Sequence, residues 1–538
     1  MTVQLQTPKV HHHAADTTPE PRGRNLLDIR WVRAIAVSPL YPKVFQWAIL
    51  AGFTLVGYQL LVGPAKASEN LGTVLMWVIW WPLIPVAFLL LGRFWCAICP
   101  FATINDLVQK LVGLERPVPP FLKKYGIWLI DASFLSITWA DHMWGVVESP
   151  WGSGVLVLLL GRFWCAICPF ATINDLVQKL VGLERPVPPF LKKYGIWLID
   201  ASFLSITWAD HMWGVVESPW GSGVLVLLLT TAVVVSGALW QRRAFCRYLC
   251  FLGGVSANYS RNGIVSLRAD EEICKTCKSR AVCYNGSADV PGCPLFSFPR
   301  KLDTNAECNL CANCIKNCPN GAISVSVRKP TSELWFMSKP QIEVAFLAMA
   351  IMGIVVYQNV SMLDGWPTVL GKVGALLHTD AYPVIFSITF ALAIAMQVGL
   401  LAAASAVASR FNTETMWQNF ARFGYALIPL DIAAHMAHNL FHLLSEGKAV
   451  IYTALPIVGQ PMPTASPAIV SSMGIQILQF ATLALGVLGS LYAVHRTARR
   501  QYPAAARHRR VLVPFAVLVL TLAAMNTWMF TLPMMHRV

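Results

Sequence analysis

Cysteine is the residue through which this chain could do redox or metal chemistry, and it occurs in close groups. The 14 cysteines fall into the pairs Cys96/Cys99, Cys165/Cys168 and Cys246/Cys250, the set Cys274, Cys277, Cys283 and Cys293, and the set Cys308, Cys311, Cys314 and Cys318. The last set has the spacing Cys-x2-Cys-x2-Cys-x3-Cys and is followed by Pro319. In such a run three closely spaced thiolates cap one [4Fe–4S] cube and the fourth reaches a second cube. Zinc also takes four ligands, but it needs neither the third close cysteine nor the Cys-Pro ending. The upstream set has longer gaps, yet keeps a CxxC start and ends at Cys293-Pro294. By the cross-ligation rule, Cys274, Cys277, Cys283 and Cys318 are expected to hold one cluster, and Cys293, Cys308, Cys311 and Cys314 the other.

The three pairs pose a separate question. Cys96/Cys99 and its copy Cys165/Cys168 stand in GRFWCAICP, and Cys246/Cys250 stands in RRAFCRYLC, each at the end of an apolar run. Four such thiolates could form a third metal centre, act as a redox dithiol, or be buried structural cysteines.

A second group of chemistry-bearing residues lies in YALIPLDIAAHMAHNLFHLL. His435, His438 and His442 share one helical face, with Asp431 one turn earlier. Ionisable groups inside a span are costly and face a cavity or one another. Haem b ligation, another metal, quinone or proton handling, and polar packing are all candidate roles. A second axial haem ligand would have to come from His378 or His495, both near span ends. Asp131, Asp141 and His142, copied as Asp200, Asp210 and His211, could take protons from a quinol or serve as polar caps.

The elements that must position these residues are membrane helices. Hydrophobic residues make up 56 % of the 538 and charged residues 13 %. Ordinary soluble domains carry about 25 % charged residues, which excludes an ordinary soluble enzyme, and disorder needs the low hydrophobicity that this chain lacks. Lys and Arg exceed Asp and Glu by 15, a surplus expected at the flanks of spans rather than on a nucleic-acid surface. Nucleic acid is not an expected partner.

Residues 89–160 recur without a change as 158–229, a period of 69. Structural repeats diverge and have periods of about 20–50 residues, so this copy reads as a recent duplication or an assembly error. The first copy supports that reading. Its Gly154–Leu160 run goes directly into Gly161, Arg162 and a CxxC pair, where a span needs about 20 apolar residues. Sequence leaves open which pair, Cys96/Cys99 or Cys165/Cys168, is the working one.

With the duplication collapsed, about nine spans are expected, near 45–63, 72–92, 125–145 (copy 194–214), 222–240, 341–358, 382–404, 424–444, 471–494 and 511–532. The fold class is a polytopic all-α membrane protein with an inserted ferredoxin-like module. Its parts are a tail over 1–44, an N-terminal membrane domain over 45–240, the cysteine module over 241–338 and a C-terminal membrane domain over 339–538. His11–His13 belong to the tail, and no cleaved signal peptide is apparent. Basic residues mark the cytoplasmic side. Arg30 and Arg33, Lys123 and Lys124, Arg242, Arg243 and Arg247, and Arg496–Arg510 all fall on one side. Every cysteine group falls there too, so a disulfide framework is not expected.

GRFWCAICP and RRAFCRYLC at span ends, with a double ferredoxin module beside them, resemble the membrane polyferredoxins over residues 72–338. That group includes the quinol-oxidising membrane subunit of periplasmic nitrate reduction, the nitrous-oxide-reductase regulator/electron donor and the cytochrome oxidase accessory protein. The chain departs from them in its CxxCP spacing, in Phe251 after Cys250, and in the five spans that follow the module. The resemblance implies a multi-pass protein of the bacterial inner membrane that passes electrons between quinol and a partner reductase or small carrier. It would be a redox subunit rather than a stand-alone enzyme. The alternatives are an assembly or metal-reduction factor for a copper or haem enzyme, and a redox sensor. The sequence shows no nucleotide loop or Rossmann fingerprint.

Overall fold

The computed structural model describes residues 24–39, 41, 52, 55–75, 186–213, 218–279, 281–337 and 340–532. Cys96, Cys99, Cys165, Cys168, Asp131, Asp141 and His142 lie outside them.

A short helix α1 (Arg30–Val37) precedes the long helices α2 (Pro189–Trp213) and α3 (Pro219–Leu239). Ser218 caps α3 through the Gly221 amide, and Pro219 sits in the first turn, where its missing N–H costs nothing. Two short helices follow, α4 (Ala244–Tyr248) and α5 (Phe251–Ser260).

The cysteine-rich stretch is closed off by two antiparallel strands, β1 (Val265–Ala269) and β2 (Ile323–Val327), paired Val265 to Val327 through Ala269 to Ile323. Short helices α6 (Glu271–Lys275), α7 (Val282–Asn285) and α8 (Asn313–Lys316) carry the cysteines between the strands. The N-terminal segment lies on the outer side of β2. Val327 N donates to Arg24 O, and Asn25 forms a bridge with Ser326.

Helix α9 (Ser332–Phe336) leads into the second helical body. It consists of α10 (Ile342–Ser361), α11 (Trp366–Leu377), α12 (Tyr382–Ala408), α13 (Met416–Gly424), α14 (Ile428–Glu446), α15 (Ser472–Gln501) and α16 (Ala505–Thr531). Helix α10 is buried along nearly its whole length and packs against α12, α13 and α14. Helix α14 lies closely against α15. Gly486 of α15 makes that approach workable, because a Cβ there would collide with the Ala433 methyl.

Five helices among the described residues are long and apolar enough to cross a membrane: Pro219–Leu239, Ile342–Ser361, Tyr382–Ala408, Ser472–Gln501 and Ala506–Thr531. All but the α10 span expose apolar faces, with Leu227, Leu392, Leu485 and Leu520 each more than half exposed, as lipid contact requires. The expected spans near 194–214 and 424–444 are helices α2 and α14. Both carry charged or titratable residues and fall outside the five. Of the expected span near 45–63, residues 52 and 55–63 are described, with 55–62 helical; that near 72–92 lies largely outside the described residues, and that near 125–145 wholly outside.

Candidate metal centre

Cys293, Cys308, Cys311 and Cys314 line a single hollow of about 340 Å³, counting its open mouth. The backbone is bent to bring them there. Leu310 and Ala312 take left-handed conformations (φ 49° and 63°), which turn the chain sharply on both sides of Cys311. Such conformations are uncommon for non-glycine residues and cluster at ligand clamps. Leu310 N donates to Cys308 Sγ at 3.4 Å, and α8 carries Cys314 in its first turn. Cys293 arrives from the other segment, held by its amide on Tyr284 O and by Asn313 Nδ2 on Gly292 O. Burial pushes the Cys311 thiol up to about 12, with Cys293 adding to the effect. Burial drives Cys314 well above its ordinary value, helped by Cys308, Cys311 and Cys293. Thiols packed this way resist ionising alone. A cationic core that neutralises the thiolates supplies what the pocket lacks.

The second set is also brought together. Burial raises Cys274, with Cys318 and then Cys277 adding to it; burial raises Cys283, with Cys318, Cys274 and Cys277 adding to it. Cys277 is exposed, and the Ser279 hydroxyl 3.0 Å from its sulfur lowers it. Ala322 N donates to Cys318 Sγ at 3.3 Å. Cys274, Cys277 and Cys318 thus lie near Cys283, and Cys293 and Cys308 lie near Cys311 and Cys314. Cys283 also acts on Cys314, so the two sets adjoin. No group of three or more His, Cys, Asp or Glu side chains among the described residues is placed to hold a single metal ion. A cube spaces its four thiolates more widely than one ion does, because iron and sulfide fill the middle.

Of the span-end pairs only Cys246 and Cys250 are described, and both are buried. The Cys250 sulfur accepts from Gly253 N at 3.3 Å and caps α5. None of the ten described cysteines is joined in a disulfide.

The histidine face of α14 is turned inward. Tyr259 Oη and His435 Nδ1 share a hydrogen bond of 2.9 Å, and His438 Nδ1 lies 2.7 Å from Asn359 Oδ1. The His438 and His442 rings are 5.3 Å apart, and His442 Nδ1 is 3.7 Å from Glu446 Oε1. Asp431 is buried, and neither carboxylate oxygen has a hydrogen-bond partner among the described residues. The same holds for Asp200 in α2, where Asp210 is also buried and His211 lies one residue further on. His378 ends α11, and His495 stands beside His508 with ring centres 5.0 Å apart.

Several residues here carried no signal in the sequence. Tyr259 and Asn359 sit in unremarkable contexts far from α14 in the chain. The arginines at 242, 243 and 247 read only as topology markers, though they touch the cysteine loops.

Comparison with known proteins adds an independent view. A family described as "4Fe-4S binding domain" matches residues 73–119, 152–188 and 222–268. These segments carry the span-end pairs Cys96/Cys99, Cys165/Cys168 and Cys246/Cys250. The uncharacterised protein MJ0749 of Methanocaldococcus jannaschii is 29 % identical over 180 residues, 32 % of this chain and 67 % of that protein. The candidate electron transport protein YccM of Escherichia coli (strain K12) is 25 % identical over 242 residues, 38 % of this chain and 64 % of its own length. MJ0750 of Methanocaldococcus jannaschii is 25 % identical over 191 residues, 32 % of this chain and 75 % of that protein. No solved structure is significantly similar. Together, the family match, the YccM likeness and the five apolar helices support an iron–sulfur electron-transfer protein with membrane helices.

Proposed function

We propose that this protein carries electrons between membrane quinol and a partner reductase or small carrier through two [4Fe–4S] clusters. Cys274, Cys277, Cys283 and Cys318 hold one, and Cys293, Cys308, Cys311 and Cys314 hold the other. The observation that carries this reading is the single hollow lined by all four cysteines of the second set. Each cube, when bound, takes up and releases one electron. Cys246 and Cys250 belong to a third centre, completed by a pair from the GRFWCAICP segment. The protein sits in the bacterial inner membrane with the cysteine module in the cytoplasm. In support of that side, Arg496 and Arg500 at the basic end of α15 stack 4.2 and 4.4 Å over Trp335 and Phe336, where the module rejoins the membrane helices.

Quinol oxidation releases two protons with its two electrons, so the protein needs groups that accept protons. Asp431 and the His435 face serve this role in the buried bundle, and Asp200 and Asp210 serve it on α2. Burial keeps these groups from bulk water, and Tyr259 and Asn359 fix the orientations of His435 and His438.

The test is purification without oxygen, with iron, acid-labile sulfide and haem quantified beside EPR. About eight irons per chain are expected for two cubes and about twelve for three. Protein that holds zinc, or no metal, refutes the proposal.

A further inference from the structure

The two cysteine sets differ in what surrounds them. Cys277 is exposed and Cys274 lies in a short surface helix; the cation that acts on both is Arg300, which is itself exposed. The other set is gripped by the Ser38–Tyr41 segment and by the segment that follows α3. The Tyr41 hydroxyl donates to Leu310 O at 3.2 Å, and Lys316 Nζ donates to Ser38 O at 3.0 Å and to Tyr41 O at 2.8 Å.

The tightest grip comes from the segment between α3 and α5. Arg242 Nη1 donates to Cys293 O at 3.0 Å, and its guanidinium lies 4.2 Å from the Tyr284 ring centre and 5.6 Å from that of Phe296. Arg242 holds a left-handed backbone (φ 52°), a conformation that the contacts with the cysteine loop must repay. Arg243 is buried, and its amide donates to Pro294 O at 3.1 Å. Arg247 pairs with Glu307 at 2.6 Å, and Glu307 lines the hollow. Arg242 and Arg247 act electrostatically on Cys293, and Arg243 acts on Cys311.

We propose that Arg242, Arg243 and Arg247 form a cationic collar that tunes the reduction potential of the Cys293/Cys308/Cys311/Cys314 cluster alone, making it the membrane-side member of the pair. This rests on the reading that both sets hold cubes. Reducing a cube adds one negative charge to it. Fixed positive charge in a partly buried, low-dielectric setting stabilises that added charge, whereas water and salt screen Arg300 at the exposed set. Glu307 opposes the collar. The three arginines are positioning residues: they touch the ligand loops, not the reacting atoms.

The experiment is an EPR-monitored redox titration of the full chain, purified anaerobically in detergent. A Cys277→Ser variant identifies which signal belongs to the exposed set. In Arg247→Gln and Arg242→Gln, the reduced-to-oxidised ratio of the other cluster at a fixed potential is expected to fall about tenfold, or 59 mV for one electron. The Cys277 signal stays within twofold. Glu307→Gln moves the same cluster the opposite way, and Arg247→Lys, which keeps the charge, leaves it in place. Equal shifts in both clusters, a shift confined to the Cys277 signal, a Glu307→Gln shift of the same sign, or no shift at all overturns the collar. A wild-type chain with fewer than about eight irons overturns the functional reading itself, which the iron count reports separately.

Discussion

Replacing Glu333 by Gln probes what holds the cysteine module to the rest of the chain. Glu333, in α9, is buried among three arginines: Arg328 Nη1 at 2.9 Å, Arg261 Nη1 at 3.4 Å and Arg268 Nη2 at 3.9 Å. It also accepts from the Thr304 hydroxyl and from Asn305 N at 2.8 Å. These partners come from β1, from the end of α5, from the segment after β2 and from the loop before Cys308. One carboxylate therefore ties four stretches of chain together. Burial alone pushes its pKa up, but Arg328, Arg261 and Arg268 outweigh that and hold it below the usual glutamate range. Because Gln carries no charge, the substitution removes the carboxylate that the buried Arg328 and Arg261 guanidiniums face. Breaking a buried pair in this way costs about 3–5 kcal/mol, so the module opens at least about a hundredfold more often.

Limited proteolysis within residues 265–330 reads this directly, since cleavage of a transiently opened region tracks its open population when reclosing is fast. The expected rise is a hundredfold or more at pH 7. The pH dependence supplies the sign. A carboxylate with a depressed folded pKa contributes its full stability above the unfolded value of about 4.3, and loses it as pH falls through the folded value. The wild-type module should therefore loosen in acid, and the Gln variant should show less of that acid response. A Gln variant whose cleavage rate stays within threefold of wild type would refute the claim that this cluster fastens the module.

Three other outcomes follow from the same geometry. Cys311→Ser should cut iron by about a third to a half and erase one of the EPR signals while sparing the Cys277 set; loss of neither signal removes Cys311 from the ligands. Asp431→Asn should leave the iron content unchanged and slow quinol-dependent reduction of the clusters in membranes at least about tenfold, as loss of a proton-transfer group does; an unchanged rate means the buried face handles no protons. Gly486→Val should lower the thermal midpoint without changing the EPR spectrum of the surviving protein, because a larger side chain has no room against Ala433 and overpacking costs about 1–3 kcal/mol.

The spacing of the cysteines made the proposed ligand grouping legible, because cross-ligation in a two-cube loop is a local rule, and Cys318, four residues after Cys314, lies near Cys274 and Cys283. The strands that close the module were less visible. Val265–Ala269 and Ile323–Val327 are five-residue runs separated by more than fifty residues, and only their pairing makes them strands. Arg242, Arg243 and Arg247 were legible as positive charges but not as a collar, since their contacts with Cys293 and Glu307 span about fifty to sixty residues. The periodicity of the α14 histidines placed them on one face. Their enclosure depends on α5, α10 and α15, and no local pattern in α14 names those partners.

Helix α5 links the Cys250 end to the histidine face of α14. Cys250 caps its first turn, and Tyr259, near its last, meets His435. Nine residues at 1.5 Å each place these two points about 13 Å apart along the helix axis. Ten residues of packed helix, Leu252, Val255 and Tyr259 all buried, hold that separation fixed. A redox centre at Cys250 would therefore sit at a constant distance from the buried titratable face of α14. A change of charge at one end would be felt at the other through low-dielectric protein rather than through water. Under the proposed function, proton and electron movements coupled in this way would need no large motion, which fits a bundle whose central helix, α10, is packed on nearly every side.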